Sequence, residues 1–206
     1  MIHKIEFSAR NLTSNAGLFL LLEHARKNGI FDLIENDLVF ENESTNKIKM
    51  NHIKSMLCGN FIGIEKLERL KLLQSDPLIN EFDISIKEPE TVSRFLGNFS
   101  YKTTQMLREI NFKVFRKLLR KRKLKSITID IDSNEAIFQL MMLTYNLFLL
   151  FKIDFVRTTE YRQQIKTFRL KYIFLAGKII RTARSVVMKL SEKYPYREIY
   201  GKSLSG

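Results

Sequence analysis

Apolar positions recur at helical spacing over the first two thirds of the chain. In residues 102–121, Leu107, Ile110, Val114 and Leu118 fall on one face of a long amphipathic helix. A further helix is predicted after the cap candidates at 13–15, with a stop at Gly29. Others are predicted over 46–59, ending at Gly59, over 64–76, and from Pro89 to a stop at Gly97. The helix over 46–59 places Met50, Ile53, Met56 and Leu57 on one face. Residues 30–40 fit a short helix or a strand. The pattern therefore predicts a helical region over residues 1–124.

The period of the pattern changes in the stretch KSITIDIDSNEAIFQL, residues 125–140. From Ser126 to Ser133 apolar and polar residues alternate, which is typical of a half-buried strand. Asp130 and Asp132 are two residues apart, so both carboxylates lie on the same face of that strand. They fit two roles. They could hold Mg²⁺ or Mn²⁺, which prefer oxygen ligands, or they could end the strand and cap the following segment.

An apolar run, residues 136–151, follows with almost no turn between. It is shorter than a membrane span and contains Gln139, Thr144 and Asn146, so we expect a buried core helix and no membrane partner. Further along, strands are predicted near 170–175, 178–182 and 185–190, with a hairpin turn at Gly177–Lys178. The fold class predicted from these patterns is mixed α/β.

Charge adds information about partners. The net charge is +13, and residues 133–206 carry 13 basic and only 5 acidic side chains. Such an excess favours nucleic acid first and an anionic membrane second. The densest cationic cluster lies at the C-terminal end of the long helix and consists of Arg116, Lys117, Arg120, Arg122, Lys123 and Lys125. It fits phosphate binding, and it equally fits cations that stabilise a helix C-terminus.

The helix predicted from Pro89 to Gly97 follows a turn, as the second helix of a helix-turn-helix does. Its polar face would present Thr91, Ser93 and Arg94 to DNA. A surface helix of a bundle fits the same residues.

Cysteine and histidine usage gives little chemistry. The single cysteine, Cys58, excludes a disulfide framework and favours the cytoplasm. The N-terminus has no apolar signal core. The three histidines are scattered, and no zinc site is predicted.

Several motifs resemble bacterial insertion-sequence transposases of the DDE type. Residues 12–34, 46–73, 88–99 and 127–133 are similar to the N-terminal half of that family, and residues 136–152 and 169–190 to its C-terminal end. The most specific motifs are TVSRFL, DIDS and FQLMMLTYNL. The resemblance implies a helical DNA-binding region followed by an RNase H-like catalytic domain. There, two aspartates and one glutamate hold two Mg²⁺ ions for DNA strand cleavage and transfer. Asp132 matches the first catalytic aspartate, and Asp130 is its neighbour.

The departure from the family is as informative as the match. Family members are about twice as long, and they carry most of the catalytic domain between the DIDS strand and the FQLMMLTYNL helix. Here Ser133 is followed directly by Asn134 and Glu135, so a deletion junction is expected near 133–135. Residues 125–206 would then be a truncated RNase H-like domain with a C-terminal β-hairpin. The second aspartate and the glutamate are missing from their family positions, so we expect no productive Mg²⁺ site.

These observations leave several functions open. The chain could be a truncated transposase that still binds DNA, with the element's terminal repeats as the target implied by the resemblance. It could be a non-catalytic inhibitor that associates with full-length transposase or with itself, because a helix deprived of its sheet would expose apolar side chains. A nuclease that completes its site with a second chain, and a basic membrane-surface protein, are further hypotheses.

Overall fold

The computed structural model describes residues 11–82, 84–122, 135–156 and 163–205, with 121–122 and 203–205 described by their backbone alone. Helices dominate. They are α1 (Leu18–Lys27), α2 (Ile30–Asp37), α3 (Glu43–Ile62), a 3₁₀ turn (Leu67–Leu70) leading into α4 (Lys71–Gln74), α5 (Pro77–Glu81), α6 (Pro89–Leu96), α7 (Tyr101–Arg122), α8 (Glu135–Phe155), α9 (Ile165–Phe168) and α10 (Arg197–Ser205). The strands are β1 (Leu12–Thr13), β2 (Gly177–Arg181) and β3 (Val186–Leu190). A mainly helical chain with a small sheet confirms the mixed α/β class.

Helix α8 lies at the centre of the helical layers. It packs along α7 and also contacts α1, α3 and α10. The predicted stripe of α7 is buried, with Leu107, Ile110 and Val114 fully inaccessible and Leu118 nearly so. Apolar side chains of α8, including Leu140, Leu143, Leu147, Leu150 and Phe151, fill the space between these helices. The prediction of a buried core helix after residue 135 is confirmed.

Helix α8 is buried among other helices and not against a sheet. Of the most apolar 18-residue stretch of Glu135–Phe155, 56% is buried in the fold, although the helix is long and apolar enough to cross a membrane. Met141 and Tyr145 are its large side chains that remain about half exposed.

A buried polar network fixes the register of α7 against α8. The side-chain amide of Asn111 donates to the backbone oxygen and to Oε1 of Gln139, both at 2.8 Å. Asn146 donates to Asn111 Oδ1 at 3.4 Å. Satisfied amides inside an apolar interface penalise any sliding of the helices, because sliding would leave them unpaired.

The sheet pairs a strand near the start of the described chain, β1, with two strands from its C-terminal part, β2 and β3. Its order is β1-β2-β3, and both pairs are antiparallel, with Leu12 opposite Lys178 and Lys178 opposite Lys189. The predicted C-terminal β-hairpin is thus confirmed. Side chains from before and after residue 124 share one hydrophobic core, and the division at 124/125 stays a prediction.

Three local predictions near glycine are wrong. Residues 169–173 form a π-helical turn after α9 instead of a strand. Gly177 and Lys178 open β2, and the hairpin turn lies at 182–185, where Thr182 N donates to Ser185 O at 2.8 Å. A Cβ on Gly177 would come within 2.9 Å of the Ala16 Cβ, so this glycine permits close packing and makes no turn.

The third wrong prediction is the end of α3. The helix continues through Gly59 to Gly63, which adopts the left-handed backbone conformation (φ 87°) that terminates helices. Gly59 is buried in the helix, and a Cβ there would lie 2.6 Å from Leu70 Cδ2. Gly97 ends α6 as predicted.

Candidate nucleic-acid interface

The predicted carboxylate site cannot be placed. Asp130, Asp132, Lys123 and Lys125 lie outside the described residues, and Arg122 is described by its backbone alone. In the ranges 11–82, 84–122, 135–156 and 163–205, no three His, Cys, Asp or Glu side chains converge to hold a metal ion. A Mg²⁺ site at Asp130 and Asp132 therefore stays a prediction.

Helix α6 exposes the polar face expected from its sequence. Its apolar face is buried through Pro89, Val92 and Phe95, and the Phe95 ring stacks on His52 with centroids 4.7 Å apart. On the opposite side Ser93 and Arg94 are exposed, and Thr91 is half-buried.

The surroundings of α6 weaken its case as the main DNA-binding helix. The connection from α5 to α6 spans residues 82–88, longer than the three- to four-residue turn of a helix-turn-helix. Glu88 and Glu90 are exposed and precede Arg94 within the first turn and the cap of α6. Glu88 also pairs with Lys71 at 3.0 Å. Because carboxylates repel phosphate, α6 offers little net attraction to a polyanion.

The cations near the end of α7 divide into two groups by their partners. Lys117 Nζ donates to the backbone oxygen of Asn28 at 2.6 Å, at the C-terminal end of α1. Lys113 Nζ lies 2.7 Å from Asp37 Oδ2 on α2. Both lysines connect α7 to its neighbours, so their first role is structural. The ammonium group of Lys117, predicted as a DNA contact, therefore donates to a backbone oxygen within the fold.

The second group faces solvent. Arg108, Phe112, Arg116 and Arg120 are all exposed and follow one another at four-residue intervals, which places them along one side of α7. We call these four residues the α7 arginine stripe. The Arg116 guanidinium carbon lies 4.6 Å from the centre of the Phe112 ring. This is the geometry of a cation–π contact.

No carboxylate neutralises the stripe within the described chain. Every described ion pair involves other residues, and Arg116 and Arg120 are like charges four residues apart, which costs a helix about 0.2–0.5 kcal/mol. The sequence prediction contained Arg116 and Arg120 but missed Arg108 and Phe112. Both lie at four-residue intervals from Arg116, and this spacing in the sequence could have predicted that they share its side of the helix.

Two other features contain residue types that serve in catalysis, His24 with Asp154 and the thiol of Cys58. His24 Nε2 lies 3.3 Å from Asp154 Oδ2, beside a cavity of about 430 Å³ lined by His24, Lys27, Asn28, Asp154 and Phe155. That lining contains no hydroxyl or thiol nucleophile for the histidine to activate. Cys58 is fully buried, and burial raises the pKa of its thiol to about 12, so the reactive thiolate is suppressed.

A groove of about 410 Å³ separates the end of α3 from α8 and α9. Met141, Tyr145 and Phe148 give it an apolar wall. Arg169 also lines it, but its guanidinium donates to the backbone oxygens of Asn60 and Phe61, both at 2.8 Å. The arginine therefore caps α3 and stiffens the groove, and the groove suits an apolar partner more than an anion.

The α7 arginine stripe is the surface whose chemistry is least explained by the fold itself. It combines unneutralised guanidinium groups with an exposed aromatic ring, the two elements of a surface that binds phosphates and stacks on bases. Comparison with family models, curated proteins and solved structures gave no match to this chain.

Proposed function

We propose that this chain is a non-catalytic DNA-binding protein, an internally deleted relative of DDE-type transposases. The observation that carries the proposal is the α7 arginine stripe, with Arg108, Arg116 and Arg120 exposed and without acidic partners among the described residues. Guanidinium groups suit this role because their planar donors match phosphate oxygens in pairs. The net charge of +13 supports the same partner.

The aromatic member of the stripe adds a second mode of contact. Phe112 is 49% exposed on the solvent side of α7, beneath the guanidinium group of Arg116. A base of single-stranded or distorted DNA could stack on this ring, a contact worth about 1–3 kcal/mol.

The lack of catalysis follows from the carboxylates. Two-metal strand cleavage needs several carboxylates at fixed positions, and the sequence lacks the second aspartate and the glutamate at the positions where the family carries them. A supercoiled plasmid incubated with the protein and Mg²⁺ or Mn²⁺ should show no nicking beyond that of an Asp132→Ala control. Nicking that disappears in this variant would contradict the non-catalytic part of the proposal.

DNA binding is tested by fluorescence anisotropy with a labelled duplex of about 20 base pairs. The variant R116A/R120A should bind at least about tenfold more weakly, since the loss of even one hydrogen bond to a charged group costs about 1.5–3 kcal/mol. The matched control is K47A/K71A, which removes the same charge from lysines already paired with Glu43 and Glu88. An equal loss of DNA affinity in both variants would mean that the loss reflects net charge and not contacts of the α7 arginine stripe.

The groove beside α8 favours a second candidate function. Met141 and Tyr145 are about half exposed on the helix that resembles the C-terminal part of transposases. A non-catalytic chain with this surface could associate with full-length transposase and inhibit it. If the parent chain co-purifies with the transposase and M141S/Y145S does not, this candidate is supported. No co-purification of the parent chain would remove it.

A further inference from the structure

The hairpin formed by β2 and β3 carries a basic face that the α7 arginine stripe does not include. Its register places Lys178 opposite Lys189 and Ile180 opposite Val187. Because side chains alternate along strands, these four residues share one face of the ribbon. The two lysines and Val187 are exposed, and Ile180 is half-buried. We call this set the hairpin face.

The opposed lysines are the informative feature. Like charges directly opposite each other in a sheet are destabilising. Neither Lys178 nor Lys189 has an acidic partner in the described parts of the chain, and Arg184 in the turn is exposed as well. The hairpin face is therefore a local concentration of positive charge that the fold leaves unneutralised.

The opposite face of the ribbon holds it on the body of the protein. Ile179 is buried, and its backbone N–H donates to Asn11 O at 3.0 Å. Arg181 binds Glu81 Oε1 on α5 at 2.7 Å. The hairpin is thus fixed at its base and middle, while its lysine face and its turn at 182–185 remain open to a partner.

We propose that the hairpin face enters the major groove of duplex DNA. Strand β1 pairs only with Gly177 and Lys178, and beyond it the hairpin is a two-stranded β-ribbon. A ribbon of this kind fits the major groove of B-form DNA, which is about 12 Å wide. Lysines can donate there to guanine O6 and N7, and valine or isoleucine can contact the thymine methyl group. The face contains both residue types, two of each. The major groove of A-form RNA is too deep and narrow for side chains to read, so the partner is DNA.

This inference rests on the proposed DNA binding, and it assigns the hairpin face a role separate from that of the α7 arginine stripe. The two surfaces contribute differently. The arginine stripe supplies contacts to the DNA backbone, and the hairpin face supplies contacts to base edges.

The test compares duplexes that differ only in the major groove. One duplex contains guanine and thymine, and the other carries 7-deazaguanine and uracil, which remove N7 and the methyl group without changing backbone charge. The parent protein should bind the modified duplex at least about fivefold more weakly. The variant K178A/K189A should lose most of this discrimination, and R116A/R120A should retain it while binding both duplexes more weakly.

Each other outcome is decisive. Equal affinity of the parent protein for both duplexes, or full discrimination by K178A/K189A, overturns the hairpin proposal and leaves the proposed function standing. Equal affinity for an RNA duplex of the same sequence overturns the choice of DNA. No binding to either DNA duplex overturns the proposed function itself. K178A/K189A should melt no lower than the parent, because the substitution relieves like-charge repulsion.

Discussion

Lys117 and Asn28, 89 positions apart in the sequence, are joined by a 2.6 Å hydrogen bond from the lysine ammonium to the backbone oxygen. The neighbouring residue, Arg116, instead lies over the exposed Phe112 ring. Adjacent cations of one sequence cluster therefore have different roles. Lys117 stabilises the junction of α1 and α7, and Arg116 remains free to meet an external anion.

Substitution of Lys117 by methionine separates these roles. Methionine keeps most of the aliphatic stem but removes the donor, so the free energy of unfolding should fall by about 1–2 kcal/mol. DNA affinity should change less than twofold. Urea denaturation and anisotropy on the same preparation measure both quantities. A large loss of DNA affinity at unchanged stability would show that Lys117 contacts DNA.

Gly17 makes the closest backbone approach among the described glycines. An added Cβ would lie 1.6 Å from the backbone oxygen of Tyr172 and 2.6 Å from Ile173 Cα. The Gly17 and Ala16 amides also donate to the oxygens of Ile173 and Leu175. Neither of the two backbone segments can move apart without breaking these hydrogen bonds.

Gly17→Ala should therefore reduce the free energy of unfolding by about 3 kcal/mol or more. Gly201→Ala is the matched control, since nothing lies within 4 Å of a Cβ there and alanine favours helix α10 by about 0.5–1 kcal/mol. Urea denaturation of both variants provides the measurement. Similar stabilities for the two would show that the junction between α1 and the turn at 169–173 is looser than the structure requires.

His52 gives the fold a pH dependence of definite sign. Burial lowers the pKa of His52, and the nearby positive charge of Lys87 lowers it further. The unfolded chain takes up this proton near pH 6.5, while the folded chain resists it. Stability from this residue is therefore fully present above about pH 7 and falls as the pH drops through 6.5 toward the folded pKa.

Denaturation at pH 7.5 and 5.5 measures this effect. The parent protein should lose roughly 1 kcal/mol more than His52→Leu over that interval. The absolute stability of the variant matters little, because the comparison concerns the change with pH. An identical pH dependence in both proteins would mean that His52 becomes protonated as readily in the folded state as in the unfolded chain.

Local patterns predicted the elements whose cause is local. The buried stripe of α7, from Leu107 to Leu118, follows directly from 3.6-residue periodicity. The stop of α6 at Gly97 and the burial of α8 follow from similar signals. The two strands near 178–182 and 185–190 were predicted too, although the hairpin turn was expected at Gly177–Lys178 and lies at 182–185.

Features that depend on distant residues were not predictable. Gly59 and Gly63 are equally good helix stops in the sequence, and the contact of Gly59 with Leu70 decides between them. The sequence of residues 169–173 fits a strand, but these residues form a helical turn. In this conformation the Arg169 side chain donates to the backbone oxygen of Phe61 at the end of α3, a contact that no local pattern predicts. Within the candidate site, the different roles of Lys117 and Arg116 depend on Asn28, which no local pattern connects to them.

The most direct test of DNA binding by the α7 arginine stripe is the salt dependence of affinity. A protein that neutralises phosphates loses affinity with rising salt, with a slope of about 0.9 in log–log units for each phosphate contact. The slope of the parent protein should exceed that of R116A/R120A by about two contacts, and K47A/K71A should keep the parent slope. Equal slopes for the parent and R116A/R120A, or a parent slope near zero, would contradict the assignment of phosphate binding to this stripe.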